Sequence, residues 1–477
     1  MAVLEGLKPE KVFEHFEKIC SIPHGSGNTK EISDMLCSFA KERGLWHHQD
    51  KVNNVIIKKE GTFGKENSAP IILQGHMDMV CEKAPDCTLD MEKEGLILKT
   101  DGDIVFAEGT TLGGDDGIAV AMIMAILDAD DIPHPPIEAV ITVDEEIGLI
   151  GAGEIDASLL KGKRMINIDS EEEGVFTVSC AGGIRAECTF PIKREDKKAK
   201  SCIIEVGGLI GGHSGVEIDK GRANSSVLLG RVLKTLSEKA EISLVSVEGG
   251  LKDNAIPRHS VAKIILCDEK IISETCDEMT KIFKNEHSKT DREVYVKFSE
   301  GEYEIPMDKE STKKIINALC ILPNGIIEMS HQIEGLVQTS LNLGILKTDE
   351  NRVVADFGLR SSIESQKEML CQRLSCIAES LGGEIEFSGN YPGWEYRIDS
   401  PLRDLMVQVF EEQYNAEPKV EAIHAGLECG VFAGKIEDFE AISIGPDMKD
   451  IHTFSERLYI KSTERTYNLL LETLKRM

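Results

Sequence analysis

Positive charge is scarce in this chain. Its 477 residues include 54 Lys or Arg against 83 Asp or Glu, a formal net charge of −29. A field of that sign repels phosphate backbones and anionic leaflets. No local basic run reverses it, so neither nucleic acid nor a membrane surface is an expected partner. Long apolar stretches are missing too: the longest unbroken one, 118–127, falls far short of a bilayer span. The opening residues MAVLEGLKPEKVFEHF hold no apolar signal core, which makes a cytoplasmic location the expectation. None of the 13 cysteines forms a Cys-x-x-Cys pair. Their odd number and wide scatter, from Cys20 to Cys429, fit reduced and mostly buried thiols better than disulfides or a thiolate zinc site. There is no Gly-x-Ser-x-Gly elbow and no cysteine with an identifiable activating partner, which argues against a covalent nucleophile.

What is present is a globular composition, 41% hydrophobic and evenly spread, in a chain longer than one ordinary domain. The first third alternates strand-like and helix-like segments, predicting an α/β domain with a mostly parallel sheet and helices on both faces. Residues 71–73 lead into Gly75-His76-Met77-Asp78, and 117–127 read as a buried helix after a glycine-rich loop. A β-branched strand at 137–143 runs into Asp144-Glu145-Glu146, and a shorter one at 164–168 runs into Asp169. After residue 183 the texture changes. Two segments share a βαββαβ-like layout: strand 202–206, helix 222–236, strand pair 255–267 and helix 271–283; then strand 293–298, helix 309–322, strand pair 336–360 and helix 365–381. The expected organisation is a split catalytic domain, 1–183 and 391–477, interrupted by a duplicated α+β lid at 184–390.

The polar residues that end the strands have metal-ligand chemistry. His76 and Asp78, two apart on an extended backbone, share a face, so Asp78 can fix the tautomer of His76. Asp115 sits in Gly113-Gly114-Asp115-Asp116-Gly117, where glycines permit an unusual turn and a bridging carboxylate. Glu145 and Glu146 would point to opposite sides of an extended chain, one to a metal and one to a water beside it. Asp169 adds a carboxylate, and His452 a second imidazole. Open α/β sheets gather ligands at the carboxyl ends of their strands. Two imidazoles with three or four carboxylates suit a pair of zinc-type ions about 3.5 to 4 Å apart, with cobalt or manganese also admitted. Taken singly, His76 reads more often as a core histidine and Glu145-Glu146 as a solvated strand end. The order of the motifs is what makes chance improbable.

Together, Gly75-His76-Met77-Asp78, Leu112-Gly113-Gly114-Asp115-Asp116-Gly117 and Asp144-Glu145-Glu146-Ile147-Gly148 resemble the dinuclear zinc peptidases that include carboxypeptidase G, peptidase T and carnosinases. The resemblance covers nearly the whole chain. Ile22-Pro23-His24-Gly25-Ser26-Gly27-Asn28, His424-Ala425-Gly426-Leu427-Glu428-Cys429-Gly430 and Gly445-Pro446-Asp447 resemble the aminoacyl-histidine dipeptidase branch of that family. It implies that His76, Asp115 and Asp169 bind one ion, and that Asp115, Glu146 and His452 bind the other. It further implies Glu145 as general base, Asp78 orienting His76, and a cis peptide between Asp115 and Asp116.

In the lid, the resemblance makes His213 of Gly212-His213-Ser214-Gly215 the group that polarises the scissile carbonyl. Asn342 and Arg360 would bind substrate, Arg360 through its terminal carboxylate, and His424 and Gly426 lie on a loop expected near the substrate. The first repeat has Asn254 in Asp253-Asn254-Ala255-Ile256-Pro257 but Cys267 where an arginine would fall. The second has Glu300, Gly301 and Glu302 in place of His-Ser-Gly. The halves are thus expected to be complementary, one chain supplying what simpler relatives draw from two subunits; a homodimer is admitted but less needed. The implied activity is hydrolysis of unblocked dipeptides, β-Ala-His and other Xaa-His included, by a water held between two divalent ions. Two alternatives stay open: an N-acyl amino acid amidohydrolase on the same scaffold, and a non-catalytic metal-binding protein.

Overall fold

The computed structural model describes residues 2–265 and 268–477. Cys267 lies outside the described residues. The chain forms two compact units, one of Met1–Cys180, Tyr396–Ala422 and Leu427–Met477, the other of Ala181–Glu395 with Ile423–Gly426. The second unit therefore takes nine residues, 391–395 and 423–426, from the stretch 391–477 that the sequence had assigned to the first. Among the described residues no helix is long and apolar enough to cross a membrane. Cys20, Cys180, Cys188, Cys276 and Cys429 are buried, whereas Cys81, Cys320 and Cys376 are exposed, so burial covers fewer thiols than expected.

The first unit is built on an eight-stranded sheet in the order Trp46–Gln49, Val55–Lys59, Ile137–Thr142, Ile71–His76, Arg164–Asn167, Glu440–Ser443, Val175–Cys180, Lys419–Ile423. Its centre is parallel: Ile71–His76 pairs with Ile137–Thr142 on one side and Arg164–Asn167 on the other, and the latter with Glu440–Ser443. The flanks are antiparallel. Every residue of Ile71–His76 and of Ile137–Thr142 is buried, as β-branched strands covered on both faces must be. The helix Gly114–Asp128 crosses over between those two strands. It packs against Glu10–Cys20 and is buried nearly all round, with small residues such as Ala119, Ala121 and Ala125 allowing close approach. Its regular part starts only at Gly117, because Asp115 and Asp116 depart from helical φ/ψ. A second, four-stranded sheet, Met448–Lys449, Arg457–Tyr459, Ile104–Ala107 and Leu98–Asp101, anchors the loop that carries His452.

The second unit centres on a nine-stranded sheet. Its order is Tyr295–Glu304, Ala199–Gly207, Ser260–Ile265, Ser243–Gly249, Val337–Thr348, Arg352–Ser361, Gly182–Pro191, Glu384–Tyr391, with Gly325–Met329 added against Val337–Thr348. The duplication is present, but nested rather than tandem. One βαββαβ unit runs from Ala199–Gly207 through helices Ser225–Lys239 and Glu269–Glu286 to Tyr295–Glu304. The other opens with Gly182–Pro191, is interrupted by the whole of the first, and resumes with helices Lys309–Ile321 and Glu364–Ser380. The segment 293–298, expected to open the second repeat, instead belongs to the strand that closes the first, paired along Ala199–Gly207. A strand lying between two helices can close one unit or open the next, and periodicity alone does not decide which. The strand pair expected at 255–267 is formed by Ser243–Gly249 and Ser260–Ile265, while Ala255–Ile256 pairs with Gly212–His213.

Candidate metal centre

At the carboxyl end of Ile71–His76 the chain turns so that His76 Nδ1 donates to the main-chain carbonyl of Asp78 at 2.9 Å. A carbonyl can only accept, so Nδ1 carries a proton and Nε2 faces the cluster. The Asp78 carboxylate stands farther off, 3.5 Å from Nδ1. It accepts instead from the Glu145 N–H at 3.1 Å and the Ser26 hydroxyl at 2.8 Å. Asp78 thus orients His76 chiefly through its backbone, because the strand ends at His76 and the two residues no longer share an extended face.

Asp115 is the centre of the arrangement. Its Oδ1 lies 3.1 Å from His76 Nε2, and its Oδ2 3.0 Å from His452 Nε2. His452 Nε2 also meets Glu146 Oε1 at 2.9 Å, and His76 Nε2 lies 3.5 Å from Asp169 Oδ1. Gly113, at φ 68°, sets the turn before Asp115, and the Asp115-Asp116 peptide is cis. Asp116 is fully buried; its Oδ2 accepts the His76 N–H at 3.1 Å, while Oδ1 has no hydrogen-bond partner. Just after Asp169 the chain passes so close to residue 445 that a Cβ there would stand 1.6 Å from the Ser170 carbonyl oxygen, which restricts the position to glycine.

Glu145 and Glu146 are not on extended backbone. The strand ends at Thr142, Asp144 adopts φ 54°, and Glu145 opens a turn closed by the Gly148 N–H at 2.9 Å. Both carboxylates therefore face the same cluster, each placing an oxygen within 4.8 Å of His76, rather than opposite sides as an extended chain requires. Gly27 N–H donates to Asp144 Oδ1 at 2.7 Å and fixes the turn, so the segment 22–28 supports both Asp78 and Asp144. His452 reaches the cluster from its own left-handed turn, with Asp450 at φ 54° and His452 at φ 59°.

The electrostatics call for cations. Burial would raise Asp115, but hydrogen bonds with His452 and His76 outweigh it and hold the carboxyl well below the usual range. Burial pushes Asp169 up to about 6 and Glu145 well above the ordinary glutamate value. Hydrogen bonds to Asp115 and Glu146 lift His452 to about 10 against the effect of burial. Burial disfavours protonation of His76 also, yet bonds to Asp115 and Asp169 prevail and hold it well above its ordinary value. Protons on the two imidazoles offset the crowded carboxylates, and a divalent ion taking the same nitrogens must displace them. Metal binding at pH 7 is therefore expected to release protons, and to release fewer as pH climbs through 10. Calorimetric titration with zinc in buffers of different ionisation enthalpy measures the release; a buffer-independent heat at pH 7 would contradict it.

A buried carboxylate that the sequence reading did not single out backs this cluster. Glu428 is fully buried, accepts from Thr142 Oγ1 at 2.6 Å and from Gln74 Nε2, and is pushed by burial up to about 7. Gln74 in turn accepts from Asn167 Nδ2 at 2.6 Å. One signal was visible in the sequence: a glutamine inside an otherwise apolar strand needs a polar partner.

The remaining expected residues lie in the second unit. His213 Nδ1 accepts from the N–H groups of Gly215 and Val216 at 3.1 and 3.2 Å, so its proton is on Nε2. Burial, reinforced by Arg360, lowers its pKa, leaving a neutral ring with one N–H to donate. Arg360 Nη1 donates to the Tyr391 hydroxyl at 3.0 Å and has no carboxylate partner among the described residues. His424 bonds Ser340 Oγ at 2.7 Å, and burial followed by Arg360 lowers it to about 3. A Cβ on Gly426 would come within 2.9 Å of the Tyr391 ring. Asn254 is exposed beside the His213 ribbon, its carbonyl accepting from Ser214 N–H at 2.9 Å. Asn342 lies deeper. It is fully buried, and its amide group donates to the carbonyls of Asp253 and Ala255, both at 2.9 Å. Those bonds use both its N–H donors, so Asn342 braces the loop that carries Asn254.

Residues 72–476 match the profile of Peptidase family M20/M25/M40. The chain belongs to that family. It is 35% identical to the cytosol non-specific dipeptidase of Escherichia coli (strain K12) over 480 aligned positions, covering 100% of this chain and 99% of that protein. The crystal structure of aminoacylhistidine dipeptidase from Vibrio alginolyticus superposes with a TM-score of 0.94 at 35% identity, covering 99% of this chain and 98% of that one. Aminopeptidase PepT from Bacillus cereus shares the fold at a TM-score of 0.58 and 16% identity, covering 98% of both chains. The family assignment bears out the resemblance read from the motifs, and the α/β architecture expected with it.

Proposed function

We propose that this chain is a metal-dependent exopeptidase that hydrolyses dipeptides with free amino and carboxyl termini, Xaa-His among them, in the cytoplasm. The observation that carries the reading is the two-sided Asp115, whose oxygens face His76 and His452 at 3.1 and 3.0 Å. A carboxylate held from both sides is suited to bridging two cations. His76, Asp115 and Asp169 would hold one divalent ion, and Asp115, Glu146 and His452 the other. This mixture of imidazole and carboxylate donors fits zinc and also admits cobalt or manganese. Bound there, the ions would supply the Lewis acidity that polarises a carbonyl and acidifies a water.

The chain's own residues would do the rest. Glu145, whose carboxylate has no hydrogen bond among the described residues and whose proton affinity is raised by burial, takes a proton from the attacking water and passes it to the leaving nitrogen. Asp78 holds His76 in the tautomer that leaves Nε2 free. His213 offers its Nε2–H to the carbonyl oxygen as negative charge develops, and Arg360 binds the substrate's carboxylate. Asn254, His424 and Gly426 line the approach to those two residues.

Release of amino acids from β-Ala-His, Gly-His, Leu-Gly and N-acetyl-Leu, before and after chelation and after zinc or manganese restoration, tests the reading. Cleavage of the three unblocked dipeptides that is lost on chelation and regained with metal is expected. Cleavage of N-acetyl-Leu alone would make the chain an aminoacylase. No cleavage of any substrate by metal-loaded protein would leave a binding protein.

A further inference from the structure

Glu456 is buried, 2% exposed, and has no part in the metal-centre reading above. Its carboxylate accepts from four consecutive main-chain N–H groups. Oε2 takes Leu112 at 2.7 Å and Gly113 at 3.2 Å, and Oε1 takes Gly114 at 2.8 Å and Asp115 at 3.4 Å. Burying a carboxylate is costly unless donors replace its water. Here the donors are successive N–H groups of the turn that leads into the regular part of Gly114–Asp128, which begins at Gly117. Glu456 lies four positions after His452, whose Nε2 lies 3.0 Å from Asp115 Oδ2. One short segment therefore grips Asp115 twice, at its carboxylate and at its main-chain nitrogen. The strand Arg457–Tyr459, paired on Ile104–Ala107, anchors that segment.

We propose that Glu456 is a positioning residue that fixes Asp115 against His452, so that the bridging carboxylate presents one oxygen to each of two cations. The inference rests on the metal-centre reading above. Its chemistry is specific to a carboxylate: glutamine in the same place has one accepting oxygen, and its NH2 would oppose two of the four N–H donors. The loop would then shift, and with it the oxygen that Asp115 offers beside His452.

The test is zinc affinity and stoichiometry of the purified full-length chain, measured by competition with a chelating dye. Wild type is compared with Glu456→Gln and with a stability control, Leu470→Ala, at a buried position of helix Ile460–Arg476. Glu456→Gln is expected to bind one of its two ions about 10- to 100-fold more weakly. Its kcat should fall at subsaturating zinc while KM holds. The control should lose thermal stability and keep both affinities. If Glu456→Gln does not fold, Glu456→Asp, which keeps the charge and shortens the reach by one methylene, carries the same comparison. Wild-type affinity for both ions in a folded Glu456 variant, or a loss no greater than the control's, overturns the proposal alone. A wild-type chain that binds no zinc overturns the metal-centre reading and takes this proposal with it.

Discussion

Glu145→Gln should lower kcat on an unblocked dipeptide by about 10²- to 10⁴-fold, the usual range for removing a general acid–base group, while both metal ions stay bound. Glutamine keeps the size and the accepting oxygen of Glu145 but cannot carry a proton between the water and the leaving nitrogen. The side chain is well placed to show this cleanly. Its main-chain N–H is held by Asp78 and its turn is closed independently of the carboxylate, so the substitution disturbs no hydrogen bond of the fold among the described residues. The measurement also separates two roles, because Glu145 and Glu146 both place an oxygen within reach of His76. If Glu145→Gln loses an ion along with activity, Glu145 is a ligand. If the variant turns over at near the wild-type rate, the base lies elsewhere.

The sequence makes the cluster of candidate ligands legible for a simple reason. In a parallel sheet the functional groups sit where β-branched runs stop, and His76, Glu145 and Asp169 each follow such a run. What it does not reveal is the local backbone at those ends. Asp144, Asp450 and His452 adopt left-handed conformations that no glycine announces, and these turn Glu145 and Glu146 toward the same cluster and aim His452. Glu456 is hidden for a different reason. In Thr453-Phe454-Ser455-Glu456-Arg457 it reads as one more acidic side chain of a solvated loop, and its partners are main-chain groups more than 340 positions away. The nested duplication is hidden by chain order, since Gly182–Pro191 is separated from the rest of its own repeat by the entire other repeat. Asn342 shows a second kind of hidden context: its motif position suggests substrate contact, and the structure adds that it is buried and donates to the carbonyls of Asp253 and Ala255.

Arg360→Ala should raise KM for dipeptides by about 10- to 100-fold with a much smaller change in kcat, matching the loss of a charge-assisted hydrogen-bonded contact. The surroundings of Arg360 are unusual for an arginine of a folded domain. Its partner is the Tyr391 hydroxyl, and no carboxylate among the described residues neutralises it. His213 and His424 both feel its field, and both are held neutral, burial being the larger cause in each. Glu217 acts on His213 and Asp219 on His424, but no carboxylate of the described residues pairs with Arg360 itself. On the proposed reading a free α-carboxylate would supply that partner and would set the length of substrate accepted, since a C-terminal amide or a third residue would put a neutral group where the charge is needed. Wild type should therefore hydrolyse Leu-Gly far better than Leu-Gly amide, and Arg360→Ala should bring the two toward equality by losing the acid rather than gaining the amide. Equal hydrolysis of acid and amide by the wild type would remove Arg360 from substrate recognition. Retention of the preference in Arg360→Ala would assign it to another cation.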